Sequence, residues 1–313
     1  MPKSNGQKAA AYRTSLTIAL KRDANLYAML VPFVLFFLVF HYRALFGLQI
    51  AFKDYSLFKG IAASPWVGLD NFKSLFGGPY FLRNLKNTFL ISFYGLLVGF
   101  PAPILLALLF NEVRSKAFKR ICQTLTYLPH FVSSVIVAGI VTRFLSPSAG
   151  LVNNLLEAIG LERTHFLTKP EWFRPIYLTM GIWKEAGFGA IIYIAALASL
   201  DPQLYEAARI DGAGRFRQLT AVTLPGILPT IAIMLILRIG RLLEVGYEQI
   251  ILLYQPATYA TADVISTYVY RAGLIQGDYR LAAAAGLFDS IAAFLLVFVS
   301  NKASRKISDY GLW

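Results

Sequence analysis

Four ionisable residues, Arg238, Arg241, Glu244 and Glu248, fall at spacings of three, three and four inside an otherwise apolar run. On one continuous helix that spacing puts them along one face. Lys184 and Glu185 sit together in a second apolar run, beside Gly187 and Gly189 where a helix can bend, and Arg143 and Asp289 stand in two more. Charges in hydrocarbon are costly, so such residues face a bundle interior or a wet cavity. Arg238, Arg241 and Lys184 suit a carboxylated ligand, because arginine grips a carboxylate with two parallel hydrogen bonds. The neighbouring acids weaken that inference, and a second reading stands beside it: mutual neutralisation between helices, Arg241 with Glu244 or Lys184 with Asp289. Other chemistry finds no support. His41, His130 and His165 are scattered over different segments, no Ser/His/Asp arrangement or paired carboxylate stands out, and the single Cys122 belongs to no metal-ligand spacing. No G-x-x-x-x-G-K-[ST] sequence is present to cradle a nucleotide phosphate. The chain reads as non-catalytic, without a metal or cofactor of its own.

The elements that must position these residues are apolar spans. Of the 313 residues 57% are hydrophobic and only 15% charged, a membrane-protein composition. Stretches of about 20 apolar residues cross a bilayer as helices, and six are expected, over 27–51, 87–110, 124–145, 176–198, 226–253 and 281–300. A polar, basic segment 1–26 precedes them, without an apolar core and cleavage site, and is expected to stay uncleaved; 302–313 forms a tail. The formal charge of +13 is divided among separate clusters by the spans, so a solvated basic face for nucleic acid is not expected. Lys3, Lys8, Arg13, Lys21 and Arg22, then Arg114, Lys116, Lys119 and Arg120, then Arg209, Arg215 and Arg217, then Lys302, Arg305 and Lys306 all fall on one side of an even number of crossings. Basic loops stay in the cytoplasm, which puts both termini and these loops there. The opposite loops hold fewer bases and are rich in aromatics and Pro, as in SPWVGLDNF, LTKPEWF and LYQPATY. They read as interfacial anchors or as a docking surface for another protein.

Between the fourth and fifth runs lies EAARIDGAGRFRQLTAVTLPGILPT, residues 206–230. Asp201 and Pro202 make a helix start, Gly212 and Gly214 end or bend it, and Pro225 and Pro229 punctuate the entry to the fifth run. The expectation is a short amphipathic cytoplasmic helix in a loop over about 201–225. Physically it could rest on lipid headgroups or fold onto its own bundle. The string narrows this. Glu206-Ala207-Ala208, Asp211-Gly212 and Leu224-Pro225 resemble the EAA loop of ABC importer permeases. FKDYSLFKGIAASPWVGLDNF, NEVRSKAFKRICQTLTYLPHFVSSVIVAGI, TADVISTYVYRAGL and the final GLW extend the likeness over nearly the whole chain, toward carbohydrate-importer permeases of the LplB type, relatives of the maltose permease subunits.

That resemblance implies an all-α transmembrane protein with the six-helix type I ABC importer permease fold and a cytoplasmic coupling helix, set in the bacterial inner membrane. It implies partners: a second homologous permease, two ATPase subunits carrying ATP and Mg, an extracytoplasmic sugar-binding protein, and an oligosaccharide substrate. Glu206, Ala207, Ala208, Asp211, Gly212, Leu224 and Pro225 would couple to the ATPase, small side chains allowing close approach to a groove. Lys184, Glu185, Arg238, Arg241, Glu244, Tyr247, Glu248 and Asp289 would line the path, with Trp183, Tyr193, Tyr247 and Tyr254 as aromatic faces for sugar; the arginines suit a uronic-acid oligosaccharide. Two rivals stay open. An ion-coupled secondary transporter would use the intramembrane acids, although the inverted repeats of that class are not evident; a membrane assembly or sensory protein would bind a partner without moving sugar.

Overall fold

The computed structural model describes residues 22–240, 242 and 245–308. Lys3, Lys8, Arg13 and Lys21, most of segment 1–26, and residues 309–313 of the tail lie outside the described residues. Among the described residues there is no strand, only an isolated bridge between Lys53 and Trp66. Among the described residues five helices are long and apolar enough to cross a membrane: Ala24–Phe52, Phe81–Glu112, Pro170–Ala198, Arg215–Gly240 and Tyr279–Lys302. A bent pair, Lys116–Phe131 with Ser134–Phe144, whose halves meet at 103°, makes a sixth when its halves are counted as one span. In chain order the bent pair is the third span.

Two spans thus differ from the single helices expected. In the third, Pro129 has no N–H to continue the ladder, and Leu128–Phe131 tightens into a 3-10 turn. Val132 is extended, and Ser133 caps the restarted helix, its hydroxyl oxygen accepting from the Ile136 N–H at 3.4 Å. The fifth span stops at Gly240 instead of running to 253, and restarts as Tyr247–Leu253. At its cytoplasmic end it begins early, at Arg215, and passes through a π-turn at Leu219–Thr223. Pro225 cannot donate to a carbonyl in the turn below it, and the wider π-turn absorbs that mismatch without interrupting the helix. Irregular backbone at membrane depth survives where protein or water covers it. After Gly240, the Ser266 hydroxyl donates to the Val245 carbonyl at 3.2 Å, and the Val245 side chain is buried.

The spans pack around three apolar clusters. Toward the outer face, Val137 and Ala138 of the third span and Val245 and Ile250 after the fifth-span break are buried against Phe173 and Met180 of the fourth. The restarted halves of both broken spans therefore share one core. Toward the cytoplasm, Ile104, Ala107, Ala190, Tyr193, Leu197 and Ile227 pack together. Tyr193 is only 2% exposed there, which removes it from the aromatics expected along a sugar path. In the third cluster Ala51, at the end of the first span, is buried with Leu75, Ile265, Ala284 and Ala285. Further down, no residue of Ala24–Phe36 is buried, so the first span joins the bundle at its outer end and stands apart below.

The crossing of the third and fourth spans is fixed at Gly187. A Cβ there would lie 1.9 Å from the Thr126 carbonyl oxygen, and that oxygen belongs to a helix backbone that cannot swing aside. Gly181, less than two turns earlier on the same helix, has nothing within 4 Å of an added Cβ. Gly187→Ala should therefore destabilise the fold by about 1–3 kcal/mol or more, while Gly181→Ala stays near neutral. Thermal unfolding of the two purified variants checks this, and equal melting curves would refute the close approach.

Candidate functional site

The charged stretch after the fourth span folds as a separate helix, Pro202–Ile210. Asp201 caps it: its carboxylate accepts from the Gln203 N–H at 2.9 Å, and Pro202 occupies the first position, where the missing N–H costs nothing. Gly212 ends it. At φ +75° Gly212 takes the left-handed conformation, so that its N–H returns to the Arg209 carbonyl at 3.0 Å and the Ala213 N–H to the Ala208 carbonyl at 2.9 Å. That is a Schellman closure. Two contacts strap the piece to the start of the fifth span: the Tyr205 and Thr223 hydroxyls at 3.0 Å, and Gln218 Nε2 donating to the Ala213 carbonyl at 2.7 Å.

The rest of this helix and of the loop that follows it is largely uncovered. Ile210 is 86% exposed and Phe216 78%; Leu204, Glu206, Ala207 and Asp211 are exposed as well, and Ala208 is half-buried. A loop folded onto its own bundle would cover these side chains. Leu224 and Pro225 lie farther along, directly above the π-turn. The arrangement offers a capped, small-residue helix with an apolar rim to something outside the chain, and ties it to a continuous helix that enters the membrane.

At mid-span, the break of the third span meets the charged turn of the fourth. Glu185 Oε2 lies 2.8 Å from His130 Nδ1, and the His130 imidazole stacks on Phe188 with centroids 3.9 Å apart. The Lys184 ammonium donates to Ser134 Oγ at 3.2 Å and sits 4.0 Å from Glu185, so Lys184 is engaged here and not with Asp289. Glu185 stays half-exposed while Lys184 is nearly covered. Residue 185 falls midway along Pro170–Ala198, near the bilayer centre. Trp183 is exposed on the same helix.

Of the fifth-span stripe, Arg238 and Glu248 do not share one helix as the spacing suggested. Arg238 precedes the break at Gly240 and Glu248 comes after it, so they occupy different helices; Arg241 and Glu244 lie outside the described residues. The even spacing indicates one face only on an unbroken helix. Arg238 and Glu248 are both exposed, Tyr247 stacks on Tyr270 at 6.1 Å, and Asp289 is half-buried on the sixth span. Among the described residues no three His, Cys, Asp or Glu side chains converge as a metal site.

A third polar assembly, on the outer side, escapes sequence reasoning altogether. Asp263 is fully buried and accepts from both terminal nitrogens of Arg271 at 2.7 Å, from Arg83 at 3.3 Å and from the Thr267 hydroxyl at 2.7 Å. Hydrogen bonding to Asp263 raises the Arg271 pKa above its ordinary value, against the opposing effect of burial, so the guanidinium remains charged. Asn87 donates to the Ala260 and Asp263 carbonyls and accepts from Arg174 at 2.8 Å. Three guanidinium groups thus gather around one carboxylate and one amide. Arg271 also lies over the Tyr259 ring, which packs on Tyr254, and this draws Tyr254 into the outer network. In the sequence, Arg83 and Arg271 register only as bases in outer loops. The one signal for the network is an acid set among apolar residues in TADVIS; for His130 it is the adjoining proline.

Comparison with known proteins gives a consistent picture. Residues 99–306 match the family model described as the binding-protein-dependent transport system inner membrane component. The chain is 46% identical over 295 residues to Protein LplB of Bacillus subtilis (strain 168), covering 94% of this chain and 93% of that protein. It is 45% identical over 301 residues to the polygalacturonan/rhamnogalacturonan transport system permease protein YteP of the same organism, covering 96% and 94%. A chain from a bacterial ABC transporter involved in the import of the acidic polysaccharide alginate is similar in structure, with a TM-score of 0.88 and 54% identity over 94% of this chain and 99% of that one. A chain from the bacterial alginate ABC transporter in complex with an alginate pentasaccharide-bound periplasmic protein gives the same score and identity, covering 94% and 98%.

Asp263→Asn preserves shape but leaves Arg271 and Arg83 without a compensating charge. Breaking a buried pair from one side costs about 3–5 kcal/mol, so this variant should melt far below the wild type or fail to accumulate, whereas Glu185→Gln, at a half-exposed position, should shift melting much less. Thermal unfolding in detergent tests the contrast; a small shift for Asp263→Asn would show that the outer network carries little stability.

Proposed function

Because the chain belongs to the family of binding-protein-dependent transport system inner membrane components, we propose that it is the translocation subunit of an ATP-driven oligosaccharide importer and that Pro202–Ile210 is its coupling helix. One observation carries the reading: a rigidly capped Glu206-Ala207-Ala208 helix stands uncovered by its own chain yet is strapped to the fifth span. Such a helix has little intramolecular purpose. It fits a groove on a separate ATPase, where Ala207 and Ala208 permit close approach, Glu206 and Asp211 pair at the rim, and exposed Ile210 and Leu204 supply apolar contact.

In this mechanism two ATPase subunits bind ATP and Mg and close, dragging the coupling helix. The continuous helix Arg215–Gly240, with Leu224 and Pro225 at its base, carries the displacement to the break after Gly240, and the cavity switches sides. Elements with two packed arrangements are what convert a local pull into such a change. A second, homologous permease completes the path, and an extracytoplasmic sugar-binding protein docks on the outer loops, where Phe58, Leu57 and Trp66 project apolar surface. This chain contributes binding and movement, and hydrolysis belongs to the ATPase.

Lys184, Glu185, Arg238, Arg241, Glu244, Tyr247, Glu248 and Asp289, joined by His130, form this chain's share of the sugar path. An acidic oligosaccharide is the substrate class that fits best. Two similar proteins are described by acidic polysaccharides, polygalacturonan/rhamnogalacturonan and alginate, and exposed Arg238 makes no ion pair among the described residues.

Glu206→Lys or Gly212→Trp should lower uptake and sugar-stimulated ATP hydrolysis by roughly tenfold or more while the protein still inserts in the membrane; proteoliposome transport with the complete complex measures this, and wild-type rates in both variants would end the coupling-helix assignment. Arg238→Ala should weaken stimulation by a uronic-acid oligosaccharide on its binding protein by about tenfold, the scale of one lost hydrogen bond to a charged group, with a smaller effect on a neutral sugar of equal length. Equal loss for both sugars would argue against an acidic substrate.

A further inference from the structure

Of the nine residues in Pro202–Ile210, only Tyr205 and Ala208 are not exposed. They are three apart, so they share the face turned toward the bundle. Ala208 has no polar side chain. Among the described residues Tyr205 is therefore the one side chain through which this helix hydrogen-bonds to the fifth span. The direction of that bond follows from its partner. Thr223 has a single hydroxyl proton and directs it to the Gln218 carbonyl at 3.3 Å, so the Tyr205 hydroxyl donates and Thr223 Oγ1 accepts, at 3.0 Å. Gln218 in turn donates through Nε2 to the Ala213 carbonyl at 2.7 Å, and the Ala213 N–H closes onto the Ala208 carbonyl. The ring so formed holds the helix at two points, its middle and its C-terminal closure.

The two points differ in what they restrain. Ala213 lies between Gly212 and Gly214, and neither glycine has anything within 4 Å of an added Cβ. Attached there alone, the helix would swing about its own end, and the bond from Tyr205 removes that freedom. The acceptor is also placed to pass a displacement on. Thr223 is only 4% exposed, and Ile227, one turn farther along the same face of the fifth span, is fully buried among Ala190 and Leu197 of the fourth span and Ile104 and Ala107 of the second. We propose that Tyr205 is the positioning residue of coupling: its hydroxyl, acting through Thr223, makes the coupling helix and the base of the fifth span turn as one body. A pull on the helix then reaches the packed core, where elements with two packed arrangements can respond, instead of turning the helix about Gly212. This inference rests on the coupling-helix reading and adds to it the side chain that transmits the movement.

The test uses the complete importer in proteoliposomes, driven by sugar-loaded binding protein, and reads sugar imported per ATP hydrolysed. Tyr205→Phe removes the hydroxyl and keeps the ring, and the ratio should fall roughly five-fold, the scale of one neutral hydrogen bond. Thr223→Val should lower it as far, and the two substitutions together no further, because both remove the same contact. Thr223→Ser keeps the hydroxyl and should stay at the wild-type ratio. A bond that served stability alone would lower the melting temperature and the yield of complex without moving this ratio. An unchanged ratio in Tyr205→Phe and Thr223→Val, or losses that multiply in the double variant, would overturn the proposal. Glu206→Lys in the same assay separates the two readings. If it abolishes uptake while Tyr205→Phe leaves the ratio unchanged, the coupling helix stands and the role of Tyr205 falls; if it imports at the wild-type rate, the coupling-helix reading itself falls, and this inference with it.

Discussion

Much of the membrane region depends on one contact, the close approach of Gly187 to the Thr126 carbonyl. Only glycine lets two helix backbones come this near. Once they do, the turn after Thr126 in the third span lies against the turn before Gly187 in the fourth. His130 and Glu185 meet as a result, Phe188 becomes the face on which the imidazole stacks, and Ser134, at the start of the restarted helix, receives Lys184. Each of these polar groups would be costly alone in hydrocarbon. Gathered at one crossing, they satisfy one another and leave Glu185 open on one side. The helix break is part of the same solution, since a straight third span would carry His130 past the fourth instead of turning it across.

The cytoplasmic side depends on continuity. A short helix can move a bundle only if the connection between them does not bend, and from Arg215 to Gly240 the helix is uninterrupted despite two prolines. The π-turn at Leu219–Thr223 is what permits this. It accommodates Pro225 and also brings Thr223 to the Tyr205 hydroxyl, so the coupling helix is tied to the turn that keeps the fifth span whole. The next irregularity comes only after Gly240, beside the outer core. Between the coupling loop and the break lies one unbroken helix, with no bend at which a displacement would be lost.

How much of this was legible in the sequence depended on the range of the signal. Asp201-Pro202 and Gly212 bracket a helix through local hydrogen bonding, and they specify the coupling helix closely. The apolar runs located all six crossings because burial in lipid is read by composition. The breaks were harder. Pro129 signals the third-span break in retrospect, but prolines also occur inside intact helices here, at Pro32, Pro175 and Pro229, so a proline alone does not decide. Across the break after Gly240 the spacing of Arg238 and Glu248 pointed toward a single face, whereas the two stand on different helices. Asp263 with Arg83 and Arg271 was illegible for a different reason: Arg83 is separated from Asp263 by 180 residues, and no local pattern encodes such a meeting.

The two faces of the protein are built to different standards, and the difference bears on mechanism. Outside, Asp263 with Arg271, Arg83 and Thr267, and Asn87 with Arg174, lock three segments together through a buried carboxylate. Asn153, fully buried, does the same for the loop after the third span, bonding to Leu145, Ser146 and Thr164. Breaking such buried polar contacts is expensive, so these loops move as rigid bodies if they move at all. Inside, the coupling helix hangs on two hydrogen bonds, each worth about 1 kcal/mol, and its apolar side is bare. A protein whose outer loops are locked and whose coupling helix is lightly held yields first at that helix. The middle, where His130, Glu185 and Lys184 link the third and fourth spans without full burial, is where the two regimes meet and where a change of access has to be made.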